Sequence, residues 1–262
     1  MKSRTSEFWR APTPLLPLAV AVVLLTVWEV MASGGLISPI VAPAPSRIFA
    51  ALLNELRTGE LQSHLSVTAA RLFVGLVVGG TLGILAGIAM GLSSRLRRFA
   101  DPFVAAAHPL PKIAILPIVM VFLGIGELSK VAVVALGVFF PMLINTMTGV
   151  RQISPTYFDV AKSYGATRWK LFTRVVLPAA MPMILSGLRI GLNIALVVTI
   201  SIEIVAASRG LGALIWLSWE VLRIEVLYAA LFVTAALGIC FNVLMQFLLA
   251  RLVPWAPKIE AA

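Results

Sequence analysis

Six apolar runs, near Leu15–Met31, Leu72–Leu92, Pro102–Leu123, Val131–Val150, Ala179–Ile202 and Leu227–Ala250, decide what this chain can fold into. A helix crosses about 30 Å of hydrocarbon with roughly 20 apolar residues and bonds all its backbone groups internally, as lipid requires. The runs therefore predict an all-α, polytopic membrane protein with six transmembrane helices. Composition agrees: with 60% apolar residues, 12% charged and a mean hydropathy of +1.00, a chain of 262 residues has more apolar surface than one soluble core can hide. The surplus faces lipid. The first run is the shortest and has Glu29 near its end, so a cleaved signal peptide is a rival interpretation. The run exceeds the roughly 7–15 apolar residues of such a peptide, and no A-x-A-like site follows in Ser33-Gly34-Gly35, so a membrane helix is expected.

A net charge of +10 would raise nucleic acid as a partner for a soluble protein, but here the bases gather in the short segments between apolar runs. That distribution is a topology signal. With six crossings, Lys2, Arg4, Arg10, Arg95, Arg97, Arg98, Arg151, Lys162, Arg168, Lys170, Arg174, Arg251 and Lys258 share one side, and the smaller set Arg47, Arg57, Arg71, Lys130, Arg209 and Arg223 takes the other. The positive-inside rule places both termini, and the loop after the fourth run, in the cytoplasm. The single cysteine, Cys240, excludes an intrachain disulfide and a thiolate metal cluster.

Several runs carry more than hydropathy. Glycines at 75, 79, 83, 87 and 91 keep an unbroken spacing of four along the second run, a small-residue stripe where another backbone can approach. Packing within the chain, a dimer seam and a sliding surface all fit it, and Gly187, Gly191 and Ala195 repeat it more weakly. The third run contains Pro109, Pro111, Lys112 and Pro117, so its helix must kink or break and its freed carbonyls need partners. Lys112 lies too deep to face lipid unpaired. Either it snorkels or pairs with a carboxylate such as Asp101 or Glu203, or it is a cationic point on an anion pathway. His108 is a weaker ligand candidate. Arg189 and Glu203 in the fifth run each need a partner or an aqueous face, and Arg189 is near enough to the cytoplasmic end to snorkel.

The segment between the fourth and fifth runs is basic and amphipathic. Ser154 is placed to cap a helix opened by Pro155, Asp159 falls in its early turns, Gly165 stops it, and Thr167 or a neighbour starts another. Tyr157, Phe158, Ala161 and Tyr164 then present small and aromatic surface, with Leu177-Pro178 marking re-entry into the membrane. The chain has no Gly-x4-Gly-Lys-Ser/Thr phosphate loop, no Gly-x-Ser-x-Gly elbow and no His-Glu-x-x-His. If the protein works uphill, its energy arrives through a partner, and this loop is the element long and exposed enough to receive it.

The spacing of that loop resembles the E-A-A-x3-G-x9-I-x-L-P motif of permease subunits of bacterial ABC importers. Asp159, Val160 and Ala161 stand at E-A-A, Gly165 takes the glycine, Val175 the isoleucine, and Leu177 and Pro178 close it without a gap. From Thr68 to Trp255 the chain is similar to permeases of the nitrate, sulfonate, taurine and bicarbonate group. The segments that carry the likeness are Pro109-Leu110-Pro111-Lys112-Ile113-Ala114 with Pro117, Phe122–Lys130, Phe140-Pro141, Asn145, Asp159–Pro178 and Gly210-Leu211-Gly212. The resemblance implies a permease in the bacterial inner membrane, a homodimer with a second copy, whose coupling loops dock into a dimeric ATPase. That ATPase would bind the ATP and Mg, this chain needing no cofactor, and a solute-binding protein would deliver the cargo. It implies a coupling surface of Tyr157, Asp159, Ala161, Tyr164, Gly165, Ala166, Arg168, Leu177 and Pro178, and a pathway near Pro109, Pro111, Lys112, Pro117, Asn145, Arg189 and Glu203. The expected organisation is an N-terminal unit over 1–66, a permease core over 67–255 with its coupling loop at 154–178, and a tail over 256–262. A small anion is expected, an aliphatic sulfonate or nitrate first, with taurine, bicarbonate and pyrimidine precursors open. A secondary transporter would call for ion dependence and inverted repeats, and the halves show no repeat.

Overall fold

The computed structural model describes residues 15–252, in which all regular structure is helical. Lys2, Arg4, Arg10, Lys258 and the tail 256–262 lie outside the described residues. The order is α1 (Leu15–Ser33), α2 (Pro45–Thr58), α3 (Glu60–Leu92), α4 (Ser94–Ala107), α5 (Leu116–Leu123), α6 (Glu127–Arg151), α7 (Pro155–Ser163), α8 (Arg168–Leu171), α9 (Leu177–Ala206), α10 (Leu211–Glu220) and α11 (Ile224–Leu252). Five helical stretches are long and apolar enough to span a membrane: Leu16–Ser33, Glu60–Leu92, Glu127–Arg151, Arg168–Ala206 and Ile224–Leu248. A sixth, Ile113–Leu123, is apolar but shorter.

That short element is the third run, split as its prolines require. The α-helix stops at Ala107, His108–Lys112 is irregular, a 3-10 turn covers Ile113–Ile115, and α5 restarts with Pro117 in its first turn, where a missing N–H costs nothing. The preceding α4 runs back to Ser94, is capped by Ser93 and has no buried residue, so the expected continuous span from Pro102 is replaced by an amphipathic helix plus a short apolar one.

The second run differs at its other end. Hydropathy places its start at Leu72, whereas α3 begins at Glu60, directly after left-handed Gly59 ends α2. Its 33 residues extend about 50 Å, well beyond the hydrocarbon. Arg71, expected in a connecting segment, is therefore inside a helix and buried. The fifth run is also longer than its apolar part, because α8, a π turn over Phe172–Val176 and α9 follow one another without a break. Pro178 cannot donate to the carbonyl four residues back, and the wider turn lies just where that bond would be.

The core is a three-helix sandwich of α3, α6 and α9 around Leu72, Val133, Val138, Met142, Ile184, Ala195 and Ile202. The glycines of α3 lie against α6: a methyl group at Gly83 would fall 2.6 Å from Met142 Cβ, one at Gly87 2.7 Å from the Leu143 carbonyl, and one at Gly91 2.6 Å from Val150 Cβ. Gly75 faces Val134 and Gly79 the Ala135 backbone in the same way, so the stripe is packing within this chain. A smaller cluster of Leu61, Leu211, Leu214, Val226 and Ala230 ties α10 and α11 to the start of α3. Helix α1 stays outside, meeting the rest through α2 and through Trp28, whose ring stands 6.1 Å from Tyr228.

Candidate functional site: an exposed loop and a buried polar knot

Helix α6 connects two unlike ends of the bundle. After its last residue comes the basic loop. Ser154 Oγ accepts from Thr156 N and Pro155 occupies the first turn of α7. Gly165 has φ of +68°, with Ala166 N donating to Ala161 O at 3.0 Å and Gly165 N to Lys162 O at 2.9 Å, the paired bonds of a Schellman ending. Thr167 Oγ1 then accepts from Lys170 N and opens α8. Two short helices thus meet at a left-handed glycine, which a side chain would strain.

Phe158 and Phe172 anchor this unit to the core, leaving Tyr157, Tyr164 and Trp169 outside, Tyr164 at 88% exposure. Asp159, Lys162, Arg168, Lys170 and Arg174 are exposed around them and form no ion pair with the described residues, while Ala161, Ala166, Leu177 and Pro178 are half-buried. Exposed aromatics among unpaired bases at one end of a membrane bundle suit a protein partner better than a packed interior.

The opposite end is closed by a buried charge network. Arg71 holds Glu127 with two bonds of 2.6 Å, through Nε and Nη2, and donates from Nη1 to Glu203 Oε1 at 2.9 Å and to the Arg209 carbonyl at 2.6 Å. Glu203 is 0% exposed, and it also accepts from Thr68 Oγ1 and from Gly212 N, each at 2.9 Å. Thr68 Oγ1 in turn accepts from Leu211 N, and His64 Nδ1 sits 3.1 Å from Gly210 N and 2.8 Å from Gly210 O. Lys130 reaches Glu127 at 3.3 Å. The knot joins α3, α6 and α9 to the turn before α10. Gly210, at φ +125°, lies so close to the Glu203 carboxylate that no side chain could replace its hydrogen.

Lys112 pairs with neither Asp101 nor Glu203, contrary to one expectation from the sequence. Its Nζ donates to the carbonyls of Ala107, His108 and Leu110 at 3.1, 2.7 and 2.9 Å, and stands 4.7 Å from the centre of the Phe140 ring. The broken helix frees these carbonyls, and its own lysine satisfies them. Pro109, Pro111 and Pro117 are exposed around the break, and Arg189 is half-buried on α9. Asn145 bonds to the Pro141 carbonyl at 2.8 Å and meets Gly187 where α6 crosses α9. These residues do not converge on a single site: Glu203 belongs to the knot and Lys112 to the break.

Sequence reasoning counts Arg71 only as a topology charge and gives Thr68 and His64 no role, although a signal exists. Positions 64, 68, 71 and 75 continue the helical spacing of the glycine stripe, so one face of α3 changes from small residues to polar ones before the apolar run begins.

A family model described as "Binding-protein-dependent transport system inner membrane component" matches residues 79–256. The taurine transport system permease protein TauC of Escherichia coli (strain K12) is 34% identical over 260 residues, 96% of this chain and 94% of that protein. A protein named for aliphatic sulfonate transport, SsuC of Bacillus subtilis (strain 168), is 30% identical over 243 residues, covering 93% of this chain and 88% of its own. Among solved structures, a chain of a bacterial alginate ABC transporter, in complex with an alginate pentasaccharide-bound periplasmic protein, shares the fold. Its TM-score is 0.67 at 16% identity, over 91% of this chain and 95% of that one.

Proposed function

The chain belongs to the binding-protein-dependent transport system inner membrane component family, and from that premise we propose that it is the permease of an ATP-driven importer for a small anion, an aliphatic sulfonate such as taurine before a nitrate-like ion. The observation that carries the ATP coupling is the loop after α6. It is built to be rigid, by Ser154, Gly165 and Thr167, and to be touched, by Tyr157, Tyr164, Trp169 and the bases between them. An ATPase dimer binding ATP and Mg would seat two such loops, one from each copy of a permease homodimer. Closing on ATP would draw the loops together and turn the pathway outward toward a solute-binding protein. Both termini then share the cytoplasm with the loop, and the polar knot lies at the periplasmic end. The sulfonate preference is supported by the names of TauC and SsuC. No residue of the break or the knot selects one anion.

Proteoliposomes holding this permease, its ATPase and its binding protein provide the test. Labelled taurine should accumulate with ATP, and Gly165→Pro should abolish accumulation while ATP hydrolysis continues. Uptake driven by an ion gradient without the ATPase would contradict the assignment. Accumulation of nitrate but not taurine would keep the importer and replace the solute.

A further inference from the structure

A cavity of about 460 Å³ opens between the start of α3, the first turns of α6 and the turn before α10. Its apolar walls are Val67, Ala70 and Val74, which share one face of α3, and Val131 of α6. Its polar end is formed by Arg71, Glu127, Ser208 and Arg209. The cavity lies across the boundary of the hydrocarbon. Val74 and Val131 belong to the apolar runs of their helices, while Ser208 and Arg209 are exposed in the connecting turn.

The charges at the polar end do not cancel. Glu127 and Glu203 are matched by Arg71 and Lys130, which already bond to them. Arg209 is left over: it is exposed and forms no ion pair with the described residues. Its carbonyl accepts from Arg71 Nη1 at 2.6 Å, so the turn that carries the unpaired guanidinium is anchored beside the buried one. Arg71 also has a donor to spare. Its bonds to Glu127, Glu203 and the Arg209 carbonyl use four of the five N–H groups of a guanidinium, and the remaining one is on Nη2. Glu127 borders the same cavity, but both its oxygens accept from Arg71 and one also from Lys130, so its charge is offset.

We infer that this cavity binds an anion with an aliphatic tail. A sulfonate or phosphate head meets Arg209, Ser208 Oγ and the free Nη2–H of Arg71, and the tail lies along Val67, Ala70, Val74 and Val131. Guanidinium donors suit an oxyanion with several acceptor oxygens, and the valine and alanine walls suit a hydrocarbon chain. An uncharged alcohol uses one half of the cavity and inorganic sulfate the other. Two sources share the required chemistry: a free aliphatic sulfonate at the outer mouth of the permease, and the phosphate and acyl chain of a lipid in the outer leaflet. Naming the sulfonate, and naming this end as the outer one, rests on the importer function proposed above.

The test uses the full-length permease, without an ATPase, in nanodiscs of phosphatidylcholine, with 1-butanesulfonate as the probe. Saturation-transfer NMR reads binding, and empty nanodiscs are the blank. Wild type should bind the probe, with 1-butanol and sulfate each competing about tenfold more weakly or worse. Arg209→Gln changes an exposed side chain outside the knot and should weaken binding about tenfold, the loss of one charge-assisted bond. Arg209→Lys should keep most of the affinity. Ala70→Phe fills the apolar half from α3 and should remove binding, and Arg209→Gln carries the test if that variant does not fold. Native mass spectrometry of permease loaded with phosphatidylglycerol separates the sources. A lipid retained by wild type and lost from Arg209→Gln supports the lipid phosphate, whereas probe binding without such retention supports the free sulfonate. Equal probe binding by wild type and Arg209→Gln, equal binding of butanol and butanesulfonate, or wild type that takes neither probe nor lipid would overturn the inference. Because no ATPase is present, failure here leaves ATP-driven uptake in proteoliposomes intact, and failure of that uptake leaves this binding readable.

Discussion

Replacing Arg71 by methionine separates the two carboxylates it serves. The arginine is 4% exposed and bonds both Glu127 and Glu203, at similar distances. The carboxylates differ in surroundings: the Glu127 side chain is 62% exposed and Glu203 is 0% exposed. Water can solvate Glu127 once the guanidinium is gone, so its pairing accounts for at most about 1 kcal/mol. Glu203 is left buried with only Thr68 and Gly212 as donors, and stranding such a charge costs about 3–5 kcal/mol. Arg71→Met should therefore destabilise by about 3–5 kcal/mol, Glu127→Gln by less than about 1, and Arg71→Met with Glu203→Leu should recover most of the loss. Steric trapping in bicelles, which reads unfolding free energy without heating, is the assay. An Arg71→Met protein within 1 kcal/mol of wild type, or Glu127→Gln costing as much as Arg71→Met, would refute the assignment of the stabilisation to the buried pair.

Two neighbouring glycines should part company. A methyl at Gly79 collides with the Ala135 backbone and would force α3 from α6, whereas Gly80 has nothing within 4 Å. Gly79→Ala should cost folded yield in a size-exclusion profile, while Gly80→Ala keeps it and gains up to about 1 kcal/mol from helix propensity. Lys112→Met strips three carbonyls of their donor and should lower stability by about 1–3 kcal/mol by the same trapping assay. Gly165→Ala, at φ +68°, should weaken the loop by about 1–2 kcal/mol, read as faster amide exchange over residues 155–171 with exchange in α3 and α6 unchanged.

The parts of this fold that hydropathy and local backbone chemistry determine were legible in advance. The apolar runs marked the membrane helices, the prolines marked the break after Ala107, and Ser154, Pro155, Gly165 and Thr167 marked the ends of the loop helices. What went unread depends on tertiary partners. Hydropathy registers where α3 becomes apolar, not where its hydrogen-bond ladder starts, so Arg71 looked like a topological charge and not a buried one. For Lys112 the sequence leaves snorkelling, a carboxylate such as Asp101 or Glu203, and an anion pathway open, because a charge in lipid needs a partner or water. The broken backbone beside it supplied three neutral carbonyls instead, which local sequence cannot distinguish from an acid on another helix.

Capture of the partner ATPase by the purified permease tests the coupling loop most directly. Wild-type permease in detergent should retain a candidate ATPase subunit, and a variant reversing Arg168, Lys170 and Arg174 to glutamate should release it while keeping its size-exclusion profile and its amide protection in α3, α6 and α9. Equal capture by both proteins would contradict the coupling assignment.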